Sequence, residues 1–108
     1  MARIPTRLAG PAQVSNAAAT KYTVPASTKT ILRSIHVQNP SASPVDFTLS
    51  IGADAAATRL YDGLVIPADS EKTFWCYHVL EAAEIIQALA GTNNILTLTL
   101  DGDEITLG

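Results

Sequence analysis

The chain has 108 residues, of which 47% are hydrophobic, 16% are charged and one is a cysteine. This length predicts one domain with one hydrophobic core, and a single thiol rules out an internal disulfide framework. The stretch MARIPTRLAGPAQ holds two prolines and no long apolar run. We therefore expect neither a signal peptide nor a membrane span, and synthesis in the cytoplasm.

Charge is scarce and unevenly distributed along the chain. An ordinary domain has about 25% charged residues, so this one is expected to expose apolar surface that partners cover. Residues 1–45 hold five basic residues and no acid, whereas residues 46–108 hold ten acids and two basic residues, giving +5, −8 and a net charge of −3. Two arrangements fit this asymmetry: head-to-tail contacts between copies, or pairing of the two halves within one subunit.

Residues 1–15 predict an extended N-terminal arm, followed by a single β-sandwich domain over residues 16–108. Two prolines interrupt any helical or strand period in the arm,. It has too few apolar residues to build a core, so we expect it to be mobile alone and ordered on a neighbouring subunit. The residues expected to make that contact are Arg3, Ile4, Arg7 and Leu8.

The first half of the domain indicates strands separated by turn residues. Strands are expected at KYTVPA, at residues 29–39 before the turn signal Asn39-Pro40, and at VDFTLSI,. In VDFTLSI the alternation places Phe47 inward and Thr48 outward. GADAAAT is predicted to be a loop, because it has no apolar stripe.

The second half continues with the same spacing. Asp62-Gly63 suits a tight turn or a bulge between RLY and LVIPA. Residues 72–80, KTFWCYHVL, are predicted to form a central strand, and LEAAEIIQALAG a further strand despite its helix-favouring residues,. NILTLTL is a strand that Asp101-Gly102 is expected to end with a turn. The inward residues of the two best alternating strands are Phe47, Leu49, Ile51, Leu96, Leu98 and Leu100.

These elements together predict an all-β fold. Roughly seven to nine short strands, about ten residues apart, are typical of an antiparallel β-sandwich of jelly-roll or immunoglobulin-like kind.

Potential chemistry is limited to two small groups of residues. Cys76 and His78 share one face of a predicted strand, but neither an oxyanion site nor a glycine-rich context accompanies them. With His36 they give at most three zinc ligands without paired spacing. The acidic stretch DGDE, residues 101–104, lacks the register of a calcium loop. We expect no enzymatic activity, no cofactor and no metal site.

Binding to nucleic acid is not expected, because the chain is acidic and its basic residues are not interleaved with aromatic ones. Trp75 and Tyr77, with Tyr61, are the candidates for surface recognition of a ligand such as a sugar. Aromatic residues on a central strand are more often core or interface residues.

The chain also resembles a family. The stretches VPASTKTILRSIHVQNPSASPVDFTLSIG and TRLYDGLVIPADSEKTFWCYHVLEAAEIIQALAGTNNILTLTLDG are similar to small β-sandwich virion proteins of tailed bacteriophages, and this likeness covers residues 20–102. The shared motifs are structural. The resemblance implies a non-enzymatic virion protein, foremost a capsid decoration (cement) protein that bridges capsid subunits.

Two other roles stay open at this point: a tail, collar or baseplate accessory protein, or a carbohydrate-binding module for host recognition. As partners, the resemblance implies the major capsid protein or other virion subunits, with a homotrimer as the assembly and the virion as the location. Neither nucleic acid nor a membrane is expected as a partner.

Overall fold

A computed structural model describes residues 3–107 and shows an all-β chain. Its strands are β1 (Arg3–Gln13), β2 (Ala19–Thr23), β3 (Thr28–Asn39), β4 (Val45–Ile51), β5 (Arg59–Ile66), β6 (Ser70–Leu80), β7 (Ile85–Ala90) and β8 (Thr97–Thr106). Within residues 3–107 no helix is long and apolar enough to cross a membrane. Residues 1 and 2 of the predicted arm and residue 108 of the predicted domain lie outside the described residues.

The eight strands form two antiparallel four-stranded sheets. Sheet A has the order β1-β8-β3-β6 and sheet B the order β2-β7-β4-β5. The first strand pairs with the last, the second with the seventh, the third with the sixth and the fourth with the fifth. This nested pairing is that of a hairpin rolled up into a jelly roll. The predicted sandwich is confirmed, and of the two kinds expected it is the jelly roll.

The core lies between the two sheets, where the inward residues of the alternating strands meet. Phe47 and Leu49 of β4 are fully buried against Leu98 and Leu100 of β8, and Leu96 just before β8 is buried too. Ile51 at the end of β4 is only half-buried but packs against the same cluster. The alternation in the sequence therefore identified the core faces of both strands correctly.

The N-terminal segment is extended, as expected, but it does not stand apart from the sandwich. It forms β1, an edge strand of sheet A that pairs with β8 of the same chain from Arg3 to Gln13. Leu8 is 8% exposed and belongs to the core, whereas Ile4 is 55% exposed. The segment needs no core of its own, because β8 supplies hydrogen bonds and sheet B supplies a surface for Leu8 to cover.

The strand that holds three of the six aromatic residues lies at an edge, so its prediction as a central strand was wrong. β6 pairs with β3 on one side, and nothing in the described chain pairs with its other side. Phe74 of β6 points inward and packs on Tyr61 of β5, with ring centroids 4.7 Å apart. This aromatic contact links the edge strands of the two sheets.

Of two glycine positions with an expected role, Gly102 takes a different one, whereas Gly63 takes one of the two expected. Asp101-Gly102 does not turn, because β8 continues through it to Thr106. A Cβ on Gly102 would overlap the carbonyl oxygen of Ile31 in β3, so the position requires glycine for close strand approach,. Gly63 has φ 65° and forms the bulge, rather than the turn, at which β5 shifts register against β4,.

Thr48 faces outward, as predicted, but it is 5% exposed. Its Oγ1 accepts a hydrogen bond of 3.0 Å from the backbone N–H of Gly63. On the outward parity of β4, Thr48 and Ser50 are therefore buried, whereas Asp46 is exposed.

The basic and acidic halves of the chain pair with each other within the subunit. Asp103 Oδ2 accepts hydrogen bonds from Arg3 Nε at 2.8 Å and from Arg33 Nη1 at 3.3 Å. Lys29 and Glu81 form a further ion pair at 3.5 Å. Of the two arrangements that the charge asymmetry allowed, pairing within one subunit is the one these residues adopt.

Candidate functional site

The most apolar exposed feature is a row of three side chains on the outward face of β6. Trp75, Tyr77 and Val79 alternate with inward residues and are 81%, 60% and 51% exposed; we call them the β6 stripe. Side chains two residues apart on a strand lie next to each other on one face of the sheet. The stripe is therefore a continuous apolar surface at the edge of sheet A.

Charged groups border this stripe on the neighbouring strands. The guanidinium carbon of Arg33 on β3 lies 6.0 Å from the ring centroid of Tyr77, within reach of a cation–π interaction,. The same guanidinium contacts Asp103 of β8, which Arg3 of β1 also binds. The outer face of sheet A thus changes from aromatic at β6 to charged at β8 and β1, an arrangement suited to contact with another macromolecule.

The inward side of β6 is not completely covered. Phe74 and Cys76 are only half-buried, as are Leu60 and Tyr61 on β5. The opposite side of the sandwich differs, because Leu8 of β1 is buried in the core cluster there. The β5–β6 side is therefore the more open side of the sandwich.

Cys76 and His78 share the inward face of β6, as their spacing predicted. The Cys76 thiol donates a long hydrogen bond, 3.5 Å, to the carbonyl oxygen of Leu32. Burial raises the pKa of this thiol, so it is protonated and a poor nucleophile at neutral pH. Across residues 3–107, no group of three or more His, Cys, Asp or Glu side chains is placed to hold a metal ion.

A polar cleft of about 290 Å³ lies at one end of the sandwich, lined by Gln38, Asn39, Pro40, Asp69, Ser70 and Glu71. Asn39 is fully buried beside this cleft, and its side chain forms hydrogen bonds to two loops. Its Nδ2 donates to the carbonyl oxygens of Ser43, Ile66 and Pro67 at 2.9, 3.0 and 3.2 Å. Its Oδ1 accepts from Ser41 N and Oγ. The polar groups nearest this cleft are thus engaged in structural hydrogen bonds.

The loop between β4 and β5 is held over sheet B by a partly exposed ion pair. Arg59 donates to both carboxylate oxygens of Asp54 at 3.0 and 3.1 Å, and the Ser50 hydroxyl donates to Asp54 at 2.7 Å. The Arg59 hydrogen bonds lower the pKa of Asp54, and the Ser50 hydrogen bond adds to this effect. This cluster fixes the predicted loop GADAAAT in place.

The structure separates the predicted site residues into two groups. Trp75 and Tyr77 lie together in the β6 stripe. Leu8 is used in the core, and Arg3 binds Asp103 of its own chain, whereas Ile4 and Arg7 remain exposed on β1. Sequence reasoning missed Val79 and Arg33, although the parity of Val79 with Trp75 and Tyr77 was a usable signal.

Comparisons with known proteins give fold similarity only. The chain matches no established protein family and no curated protein. It is similar to a chain from a structure titled "Bacillus endospore appendages form a novel family of disulfide-linked pili", with 13% identity, a TM-score of 0.59 and coverage of 98% of this chain and 89% of that one. It is also similar to a chain in the structure of infectious bursal disease virus Gx strain, with 12% identity, a TM-score of 0.53 and coverage of 99% and 32%.

At these identities the likeness concerns the fold alone, and both similar proteins are β-rich like this chain. This chain spans about a third of the length of the viral one.

Proposed function

We propose that this chain is a non-enzymatic structural protein of a virus particle, with capsid decoration as its leading role. The observation that carries the proposal is the β6 stripe, an exposed apolar row on a jelly roll whose core is already complete without it. Exposed apolar patches of this kind mark surfaces that another protein covers. The fold similarity to a pilus protein and to a viral protein supports a role in assembly.

The mechanism of such a protein is mechanical. Many copies bind across the joints between capsid subunits, so that opening the shell requires the breaking of additional contacts. In this proposal Trp75 and Tyr77 supply most of the binding free energy, because aromatic residues dominate protein interfaces. Ile4 and Arg7 on the opposite edge of sheet A extend the contact. Arg7 contributes little, since an exposed ion pair is worth only about 0–1 kcal/mol, and Ile4 adds the burial of one partly exposed apolar side chain.

Copy number in the particle tests this role against a tail, collar or baseplate function. Quantitative mass spectrometry of purified particles, and of heads that lack tails, would count the chain. A decoration protein is expected in hundreds of copies on both. A few copies that disappear with the tails would support the accessory role instead.

Binding experiments with variants test the surface. Trp75→Ala and Tyr77→Ala are expected to reduce occupancy on stripped particles by tenfold or more. Val65→Ala, which removes an exposed apolar side chain from β5 of the other sheet, serves as the matched control and is expected to bind normally. Equal occupancy for all three variants would contradict the assignment of the β6 stripe.

A carbohydrate-binding role has one observation in its favour, the side-by-side exposure of Trp75 and Tyr77. A glycan array with the purified chain tests it directly. Binding that Trp75→Ala abolishes while the circular dichroism spectrum stays unchanged would favour host recognition over decoration.

A further inference from the structure

The two sheets have four edges, and β6 forms the least protected of them. An edge strand presents unpaired backbone N–H and C=O groups that another strand can bind. β1 carries two prolines and two register shifts, and β2 has only five residues. β5 carries the Gly63 bulge and the charges of Arg59 and Asp62. These three edges therefore have the features that prevent pairing.

β6 has few such features. It is eleven residues long, contains no proline, and has no Asp, Glu, Lys or Arg from Thr73 to Leu80. It has one register shift against β3. Its side chains are apolar on both faces, with the β6 stripe outside and half-buried Phe74 and Cys76 inside. The outer backbone edge of β6 thus lacks a partner within the described chain, and its apolar side chains are only partly covered.

We propose that β6 pairs antiparallel with β6 of a second copy of this chain, about a two-fold axis. Such a contact is isologous, because both copies use the same strand. Each strand offers the other the same backbone N–H donors and C=O acceptors. The pairing would join the two A sheets into one continuous eight-stranded sheet. It goes beyond the proposed function and does not depend on it.

The self-pairing is favoured by the charges along the strand. If Ser70–Leu80 pairs over its whole length, Trp75 lies opposite Trp75 of the second copy, and Glu71 opposite Val79. Lys72 then lies opposite His78, and no acid faces an acid within Ser70–Leu80. Just beyond the strand ends Asp69 would come near Glu81, which is paired with Lys29 of its own chain. This register keeps outward residues opposite outward residues, as a continuous sheet requires, and it brings the two β6 stripes together.

Pairing with the β5 edge of a second copy is less favourable. The bulge at Gly63 breaks the regular spacing of β5, and Arg59 and Asp62 would lie at the new junction. A two-fold β6 contact also predicts assemblies with an even number of subunits, in place of the trimer that the family resemblance implied.

Sedimentation equilibrium of the purified chain tests the proposal over a range of about 5 to 500 µM, in which weak dimers dissociate measurably. The wild type is expected to show a monomer–dimer equilibrium. Amide hydrogen exchange at the upper concentration should show new protection in β6 and at no other edge. A monomer throughout, a trimer as the assembly, or protection at another edge would overturn the proposal.

Charge variants at matched valines test the partner strand and the register. Val79→Glu on β6 places a second carboxylate opposite Glu71 and is expected to weaken the dimer at least tenfold. Val79→Lys places an opposite charge there and should weaken it several-fold less. Val65→Glu on β5 is the control, because Val65 is 48% exposed and Val79 51%. It should leave the dimer unchanged, whereas equal effects of the two glutamates, or of glutamate and lysine at position 79, would refute this pairing.

Discussion

Replacing Leu8 by alanine measures how far β1 belongs to the folded domain. Leu8 lies in the core cluster, and its Cδ1 approaches Gly102 of β8. Leucine-to-alanine changes in protein cores cost about 2–5 kcal/mol of the free energy of unfolding. An edge strand can partly collapse into the space left behind, so we expect the lower half of that range, about 2–3 kcal/mol. This is a large fraction of the roughly 5–15 kcal/mol typical of a domain.

Ile4→Ala is the matched change on the same strand. Full burial of an isoleucine side chain is worth about 1.5–3 kcal/mol, and Ile4 is 55% exposed, so its loss should cost about 1 kcal/mol or less. Urea unfolding followed by far-ultraviolet circular dichroism is the suitable assay, because Trp75 is already exposed and its fluorescence would change little. Losses below about 1 kcal/mol for both variants would show that β1 is not part of the cooperative core and would restore the interpretation of a separate arm.

Further substitutions test the interior, each by urea unfolding. Phe47→Ala should cost about 3–5 kcal/mol, and Thr48→Ala about 1 kcal/mol because the hydrogen bond from Gly63 N–H is lost,; a neutral Thr48→Ala would contradict this contact. Asn39→Ala should cost about 2–4 kcal/mol, because several hydrogen bonds are lost and one fully buried carbonyl is left unpaired, while Gln38→Ala beside it should cost less than about 0.5 kcal/mol. Burial raises the pKa of Tyr22 to about 12, so the folded state holds this proton more tightly than the unfolded state, whose value is about 10. Stability should therefore fall between pH 10 and 12, and Tyr22→Phe should lessen that fall; an identical pH profile for both proteins would contradict the assignment.

Several parts of the fold were predictable because they depend on local pattern. The alternation of β4 and β8 identified their inward faces, and the β-branched residues of Ile85–Ala90 outweighed the helix-favouring residues before them,. The features that failed depend on distant partners. Asp101-Gly102 is a turn signal in isolation, but here the glycine admits the close approach of β3, about seventy residues earlier in the chain.

The site was predictable only in part, for a similar reason. Spacing alone places Trp75 and Tyr77 on one face of a strand, but Phe74 and Cys76 make the other face apolar as well. Which face lies inward, and whether β6 lies at an edge, follows from the order of strands in the sheet. That order is set by pairings such as β1 with β8, which no local pattern encodes.

The nested pairing of the strands also determines the order in which they can pair during synthesis. Arg3 of β1 lies opposite Ile105 of β8, so β1 finds its partner only after β8 has been made. Only β4 and β5, at the centre of the chain, can pair soon after synthesis, and each outer pair encloses the ones before it. Contacts between residues so far apart in sequence make folding slow. During that delay the exposed β6 edge and its aromatic residues are free to meet other chains, which makes the folding yield sensitive to protein concentration.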